Sequence, residues 1–160
     1  MTADRVGFSD FVAANYPTVV GVVALALRDR DLALDATQEA FARALERWER
    51  VRVMARPDGW VYVTAMNVAR REQRRGRREL RSSDGDERGG SVDDGVVVRV
   101  IVGDALRTLS PRQREAVVLR YAAGLPLSDI ADAMGCAVGT VKATLHQALR
   151  KMRVDIGDLE

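Results

Sequence analysis

The first stretch of the chain sets Phe8, Phe11, Val12, Val19, Val22, Val23 and Ala26 at mostly three- and four-residue spacings, the period of a buried helix face. Pro17 falls inside that pattern and is expected to bend or restart the helix. The run from Asp31 to Glu49 contains neither Gly nor Pro. Wound as a helix, it places Leu34, Phe41, Leu45 and Trp48 on one face and Asp35, Gln38, Glu39 and Glu46 largely on another. Val51 to Gly59, with Arg52, Arg56 and Pro57, reads as a loop. A third helix is predicted from about Trp60 to Arg75, with Trp60, Val61, Thr64, Ala65 and Val68 packed inward. Asn67, Arg70, Arg71, Arg74 and Arg75 lie towards its C-terminal end.

The pattern is interrupted from Ser82 to Gly95, where Val92 is the one large apolar residue among Gly, Ser and Asp. Such a stretch predicts a flexible linker, dividing the chain into units 1–81 and 96–160. The second unit is also helical, from near Val96 through Ala105 and Leu109. Ser110-Pro111-Arg112-Gln113 has the form of a helix start: a capping hydroxyl, a proline at the first helical position and an amide at capping-box spacing. Val117, Val118 and Tyr121 continue it as an apolar stripe, and Gly124-Leu125-Pro126 ends it.

The segment from Leu127 to Leu145 has the spacing of a helix-turn-helix, two helices crossing steeply through a tight turn. Ala131 is the small residue where the helices meet, and Gly135 is the residue tolerant of positive φ in the turn. Val141 is the branched residue that locks the second helix onto the first. Ile130, Met134, Val138 and Leu145 complete a small core. The second helix then carries Lys142, Thr144, His146 and Gln147 outward, where a major groove could receive them. The fold expected is therefore all-α, two small helical domains joined by a flexible acidic linker.

Charge and composition narrow the function. The chain has 160 residues, and its net charge of +2 is unevenly spread. Residues 50–81 carry +7 and residues 82–95 carry −4. The basic block is a candidate polyanion contact. A single cysteine, Cys136, excludes an internal disulfide and fits a reducing cytoplasm. With His146 as the one histidine, no zinc site is expected. The longest apolar run, Val19 to Leu27, is too short to span a bilayer, and the N-terminus has no secretory pattern, so no membrane insertion is expected. No carboxylate cluster, metal-ligand set or phosphate loop stands out, so neither a cofactor nor an enzymatic activity is expected.

Two stretches resemble one family. Ala105 to Tyr121 followed by Leu127 to Leu149, with its Gly139-Thr140-Val141-Lys142 step, is similar to region 4 of the extracytoplasmic-function (ECF) sigma factors of the sigma-70 family. Asp35-Ala36-Thr37-Gln38-Glu39-Ala40-Phe41 and Pro57 to Arg71 resemble region 2. The resemblance implies a sigma factor that binds core RNA polymerase and directs promoter-specific initiation. Unit 1–81 would dock on polymerase and read and melt the minus-10 element, and unit 96–160 would read the minus-35 element. Asp35, Gln38 and Glu39 would grip the β′ clamp, with the β subunit as a further polymerase contact. Asn67 would take a flipped minus-10 base, with Trp60, Arg70, Arg71, Arg74 and Arg75 on the same DNA. Arg112, Lys142, Thr144, His146, Gln147 and Arg150 would contact the minus-35 DNA. An anti-sigma factor is a further partner that family members commonly have.

Three positions depart from the family. Val63 stands where arginine is frequent, and Thr144 and Gln147 stand where basic residues are frequent. Gln147 could read adenine through paired hydrogen bonds instead. The acidic linker is either a plain tether or a segment suited to the RNA path of the polymerase. The competing reading is an autonomous operator-binding dimer with a sensor or dimerisation domain in its first half. Affinity for core polymerase separates the two.

Overall fold

The computed structural model describes residues 2–80 and 105–157, with side chains placed for residues 7–80 and 105–153. The linker expected at 82–95 lies outside the described residues. Helix α1 runs Thr2–Leu27, α2 Arg30–Glu46, α3 Trp48–Val51 and α4 Pro57–Leu80. After the described residues resume come α5, Pro111–Val117, which continues as a π-helical turn over Val118–Ala122, then α6, Leu127–Met134, and α7, Val138–Gly157. Among the described residues every regular element is helical.

Helix α1 passes through Pro17 without interruption, so the bend or restart expected there is absent. Between Val19 and Ala26 it is buried except at Gly21 and Leu25, because α2 and α4 pack on one side and α5 with its π turn on the other. Being covered from two sides explains the near-continuous apolar run. The stretch Gly7–Leu27 is long and apolar enough to cross a membrane by length and composition alone, a test that a buried core helix also passes. Its end turns tightly into α2 through Arg28, at φ 54°, and Asp29 caps α2 by accepting from the Leu32 N–H at 3.0 Å.

Helix α2 buries Ala33, Ala36, Thr37, Ala40, Phe41 and Ala44, a face of small residues that lets it approach α1 and α4 closely. That face differs from the one predicted. Phe41 is buried and Trp48 half-buried, but Leu45 is 51% exposed. The predicted continuous helix to Glu49 is also broken at Arg47, which leaves helical geometry (φ −117°, ψ 23°) before α3 restarts. Phe8, Phe11, Tyr16, Phe41 and Trp48 stack as one aromatic cluster, with ring centroids 5.1–5.7 Å apart.

The third predicted helix is present but longer, from Pro57 to Leu80. Its buried residues are Gly59, Val61, Tyr62, Ala65, Met66 and Ala69, while Trp60, Thr64 and Val68 are only half-buried. The difference is rotational, since the side of α4 bearing Trp60 and Val63 faces the C-terminal half rather than α2. In that half the capping box forms as expected: Ser110 Oγ accepts from Gln113 N–H at 3.2 Å and Gln113 Oε1 from Ser110 N–H at 3.1 Å. Val117 and Val118 are buried, but Tyr121 is 62% exposed. The π turn explains this. Its wider winding takes Tyr121 off the line of Val117 and turns Leu119, fully buried, inward instead.

Buried residues of both halves merge into one core, so each unit covers a face the other would expose. A split chain of this size has two thin cores. Here the two halves clamp each other.

Candidate functional site

The helix-turn-helix is built as its spacing predicts, with Ala131, Ile130, Met134, Val141 and Leu145 buried. Val138 departs, at 38% exposure, because it opens α7 at the edge of the turn. Gly135 has φ 65° and ψ 41°. It closes α6 in a Schellman motif, with Cys136 N–H donating to Ala131 O at 3.0 Å and Gly135 N–H to Asp132 O at 3.4 Å.

A helix leaves its last four carbonyls without intrahelical donors. The Schellman pair satisfies those of Ala131 and Asp132. Arg112 Nη1 donates to Met134 O at 3.0 Å, and Arg70 Nη2, from α4, donates to Ala133 O. The C-terminus of α6 is therefore completed by a side chain from the other half of the chain. Its partial negative charge suits a guanidinium.

Two more arginines cross between the halves in the same way. Arg56 Nη1 and Nη2 donate to Gly124 O at 2.5 Å and Ala123 O at 3.0 Å, at the end of the π turn, while Asp58 pairs with Arg56 at 2.7 Å. In return Arg114, buried, donates from Nε to Ala26 O at 3.1 Å, at the end of α1. Burial pushes the Arg70 and Arg114 guanidinium groups below the ordinary arginine value. Such groups stay charged all the same. The sequence does not mark Arg56 and Arg114 as site residues, since the carbonyls they reach lie 67 to 88 positions away, nor Glu115, whose burial arises only in the packed fold.

The residues predicted for the minus-10 DNA are brought together only in part. Asn67 is half-buried, and its Oδ1 accepts from Arg70 Nη1 at 3.2 Å. Asn67 and Val63 line an open cleft of about 580 Å³ with Ala131, Asp132, Gly135 and Cys136 of the helix-turn-helix. Trp60 lines a second cleft of about 370 Å³ with Arg56, Pro126, Asp129 and Asp132. Arg71, Arg74 and Arg75 point to solvent, and Arg75 pairs with Glu72 at 3.3 Å. Trp60, Asn67 and Arg70 thus face the C-terminal half, and the other three arginines do not.

Of the residues predicted for the minus-35 DNA, Lys142, His146, Gln147 and Arg150 are exposed on α7. Thr144 is half-buried and its hydroxyl donates to Thr140 O at 2.7 Å, which occupies its hydrogen within its own helix. Arg112 is committed to Met134 O. Asp35, Gln38 and Glu39 are all exposed on α2, with Glu39 paired to Arg43 at 2.9 Å, and the aromatic cluster of Phe41 and Trp48 stiffens that end of the bundle.

One half-buried glutamate, its Oε2 shielded from solvent, sits among these arginines. Glu115 faces Arg112 on its own helix, with its Oε2 3.7 Å from Arg112 Nη1, and senses Arg70 and Arg114 as well. Burial outweighs their attraction and raises its carboxyl above the ordinary value of 4.5. A raised carboxyl favours the protonated native state, so its contribution is present below 4.5 and is lost as pH rises through the folded-state value. Wild type should therefore gain stability relative to Glu115→Gln as pH falls from 7.5 to about 4.5. Parallel thermal melts across that range check this, and a constant difference would show that Glu115 is not desolvated.

Comparisons with known proteins match both halves. Residues 11–79 match the model of Sigma-70 region 2, and residues 99–152 that of Sigma-70, region 4. The chain is 32% identical over 130 residues to the RNA polymerase sigma-E factor of Streptomyces coelicolor, covering 78% of this chain and 71% of that protein. It is 33% identical over 138 residues to the ECF RNA polymerase sigma factor SigL of Mycobacterium tuberculosis, covering 82% of this chain and 78% of that one. Among solved structures it is similar to the sigma factor RpoE in complex with the anti-sigma factor NepR from Bartonella quintana. The TM-score is 0.76 at 25% identity, covering 92% of this chain and 94% of that one.

Proposed function

The chain belongs to the sigma-70 family, in its extracytoplasmic-function branch, and from that premise we propose how its surfaces divide the work of promoter recognition. It is a transcription initiation factor that binds core RNA polymerase and directs promoter-specific initiation. Residues 1–81 form the polymerase-docking and minus-10 unit, and residues 96–160 the minus-35 unit. The factor works in the cytoplasm and has no turnover of its own.

Docking rests on Asp35, Gln38 and Glu39. The supporting observation is that all three are exposed on one helix backed by a stacked aromatic cluster, a rigid acidic and amide face. Minus-35 recognition rests on Lys142, His146, Gln147 and Arg150, exposed on the second helix of a complete helix-turn-helix. Thr144 and Arg112 contribute less, being held by Thr140 O and Met134 O. Minus-10 reading rests on Trp60 and Asn67, with phosphate contacts from Arg70, Arg71, Arg74 and Arg75. An anti-sigma factor is a fitting further partner, since the similar RpoE structure is a complex with one.

Run-off transcription with core polymerase on a library of promoter fragments tests the reading. The chain should yield selective transcripts, and Gln38→Arg with Glu39→Arg should lower polymerase affinity at least about tenfold with melting unchanged. No selective transcript, combined with tight operator binding by the pure protein, would favour the autonomous regulator instead.

A further inference from the structure

Helix α7 packs through Val141, Leu145 and Ala148, which are buried. At about 100° per residue, the opposite side of the helix carries Gly139, Ala143, His146 and Arg150, all exposed. The polar residues of this face are already assigned to minus-35 DNA, and Ala143 is not. It faces solvent in the first half of the helix, the part that a helix-turn-helix sets against base edges. Gly139, one turn earlier on the same side, serves no packing need. A Cβ there would meet nothing within 4 Å among the described residues, and its φ is not positive. Its missing side chain does allow the helix backbone to approach another surface closely. Thr144 offers no such contact outward, because it is half-buried and its hydroxyl is bonded to Thr140 O.

We propose that Ala143 is a specificity-determining residue of the minus-35 unit, and that its methyl group reads the C5 methyl of a thymine in the major groove. The inference rests on the sigma reading given above. An alanine side chain has neither donor nor acceptor, so it reads no base by hydrogen bonding. The thymine methyl is the apolar feature that the major groove offers it. A side chain one carbon long reaches a base edge only where the backbone comes close, and Gly139 leaves room for that on the same side of α7. Burying two methyl groups against each other favours thymine over the bases that lack one, without any charge or hydrogen bond. The minus-35 element therefore contains a thymine whose identity none of Lys142, His146, Gln147 or Arg150 reports.

Removing single methyl groups from the promoter tests this. Holoenzyme made from core polymerase and the full chain first selects active fragments from a library randomised across the minus-35 element. Each thymine of the selected element is then replaced singly by deoxyuridine, which lacks only the C5 methyl. Affinity of the holoenzyme for each labelled duplex is read by fluorescence anisotropy. One replacement should weaken wild-type binding about threefold, the worth of one buried methyl group. Ala143→Gly should bind the thymine and deoxyuridine duplexes equally. Ala143 is exposed, so the change touches no core contact. Cytosine and 5-methylcytosine at the same position should also differ about threefold with wild type and not at all with Ala143→Gly, because the methyl alone is read. A selected element without thymine, deoxyuridine tolerated at every position, or a methyl effect undiminished in Ala143→Gly would each overturn the proposal while leaving the sigma reading intact. A wild-type holoenzyme that selects no fragment at all would sink the sigma reading, and this inference with it.

Discussion

Leu125→Ala is expected to destabilise the chain by about 3 kcal/mol, lowering the melting temperature by roughly 6–12 °C. Leu125 is fully buried between the π turn and α6. Its Cδ2 would stand 3.6 Å from a Cβ on Gly59 of α4, so its side chain fills the seam between the halves. Truncation removes buried apolar area and leaves a cavity that neither half can close alone. Leu45→Ala is the matched control. Leu45 is 51% exposed on α2, and its loss should stay within about 0.5 kcal/mol. Urea titration of both variants gives the comparison. A cost under about 1 kcal/mol for Leu125→Ala would mean that the halves do not pack around it.

Gly135→Ala is expected to cost about 2–3 kcal/mol, for two separable reasons. At φ 65° an alanine pays about 1–2 kcal/mol for the left-handed conformation. Its Cβ would also meet Arg70 Nη1 at 2.8 Å. That atom ends a flexible side chain, so it moves, but moving it breaks the contacts of Arg70 with Asn67 and Ala133. Gly124→Ala isolates the first reason. Gly124 has φ 67°, yet its Cβ would find only Arg56 Nη1, at 4.0 Å. The excess of Gly135→Ala over Gly124→Ala should vanish in an Arg70→Ala background, because the contact is then already gone. An excess that survives there would place the second cost within the turn itself.

Some elements were legible because their determinants are local. The Ser110 capping box, Pro111 at the helix start, the left-handed Gly135 and the small Ala131 each depend on residues within a few positions. The helix-turn-helix is a compact assembly of such local choices, and its core formed as predicted except at Val138. Errors arose where packing partners decide. Leu45 and Tyr121 belong to plausible apolar stripes, but Leu45 lies beside the Ala33–Ala44 face that α2 buries, and a π turn at Val118 carries Tyr121 to solvent. Pro17 sits in an unbroken α1, so the restart expected there did not follow.

The site divides in the same way. The exposure of Asp35, Gln38 and Glu39 on α2 and of Lys142, His146 and Gln147 on α7 follows from helix periodicity alone. The roles of Arg70 and Arg112 do not. Both are basic residues in a DNA-binding chain, and both lie against carbonyls at the end of α6.

The sequence by itself determined that the chain is helical, where the helix-turn-helix lies, which family it resembles and which faces carry charge. Periodicity, caps and turn residues act over one or two helical turns, so one sequence suffices to see them. Tertiary structure alone decided that the two halves share a core and that Arg56, Arg70 and Arg114 complete helices in the opposite half. It also decided that Trp60 and Asn67 lie under α6. The physical reason is that an unsatisfied helix end can accept any suitable donor the fold brings near, and which donor arrives depends on contacts more than sixty residues apart in the chain.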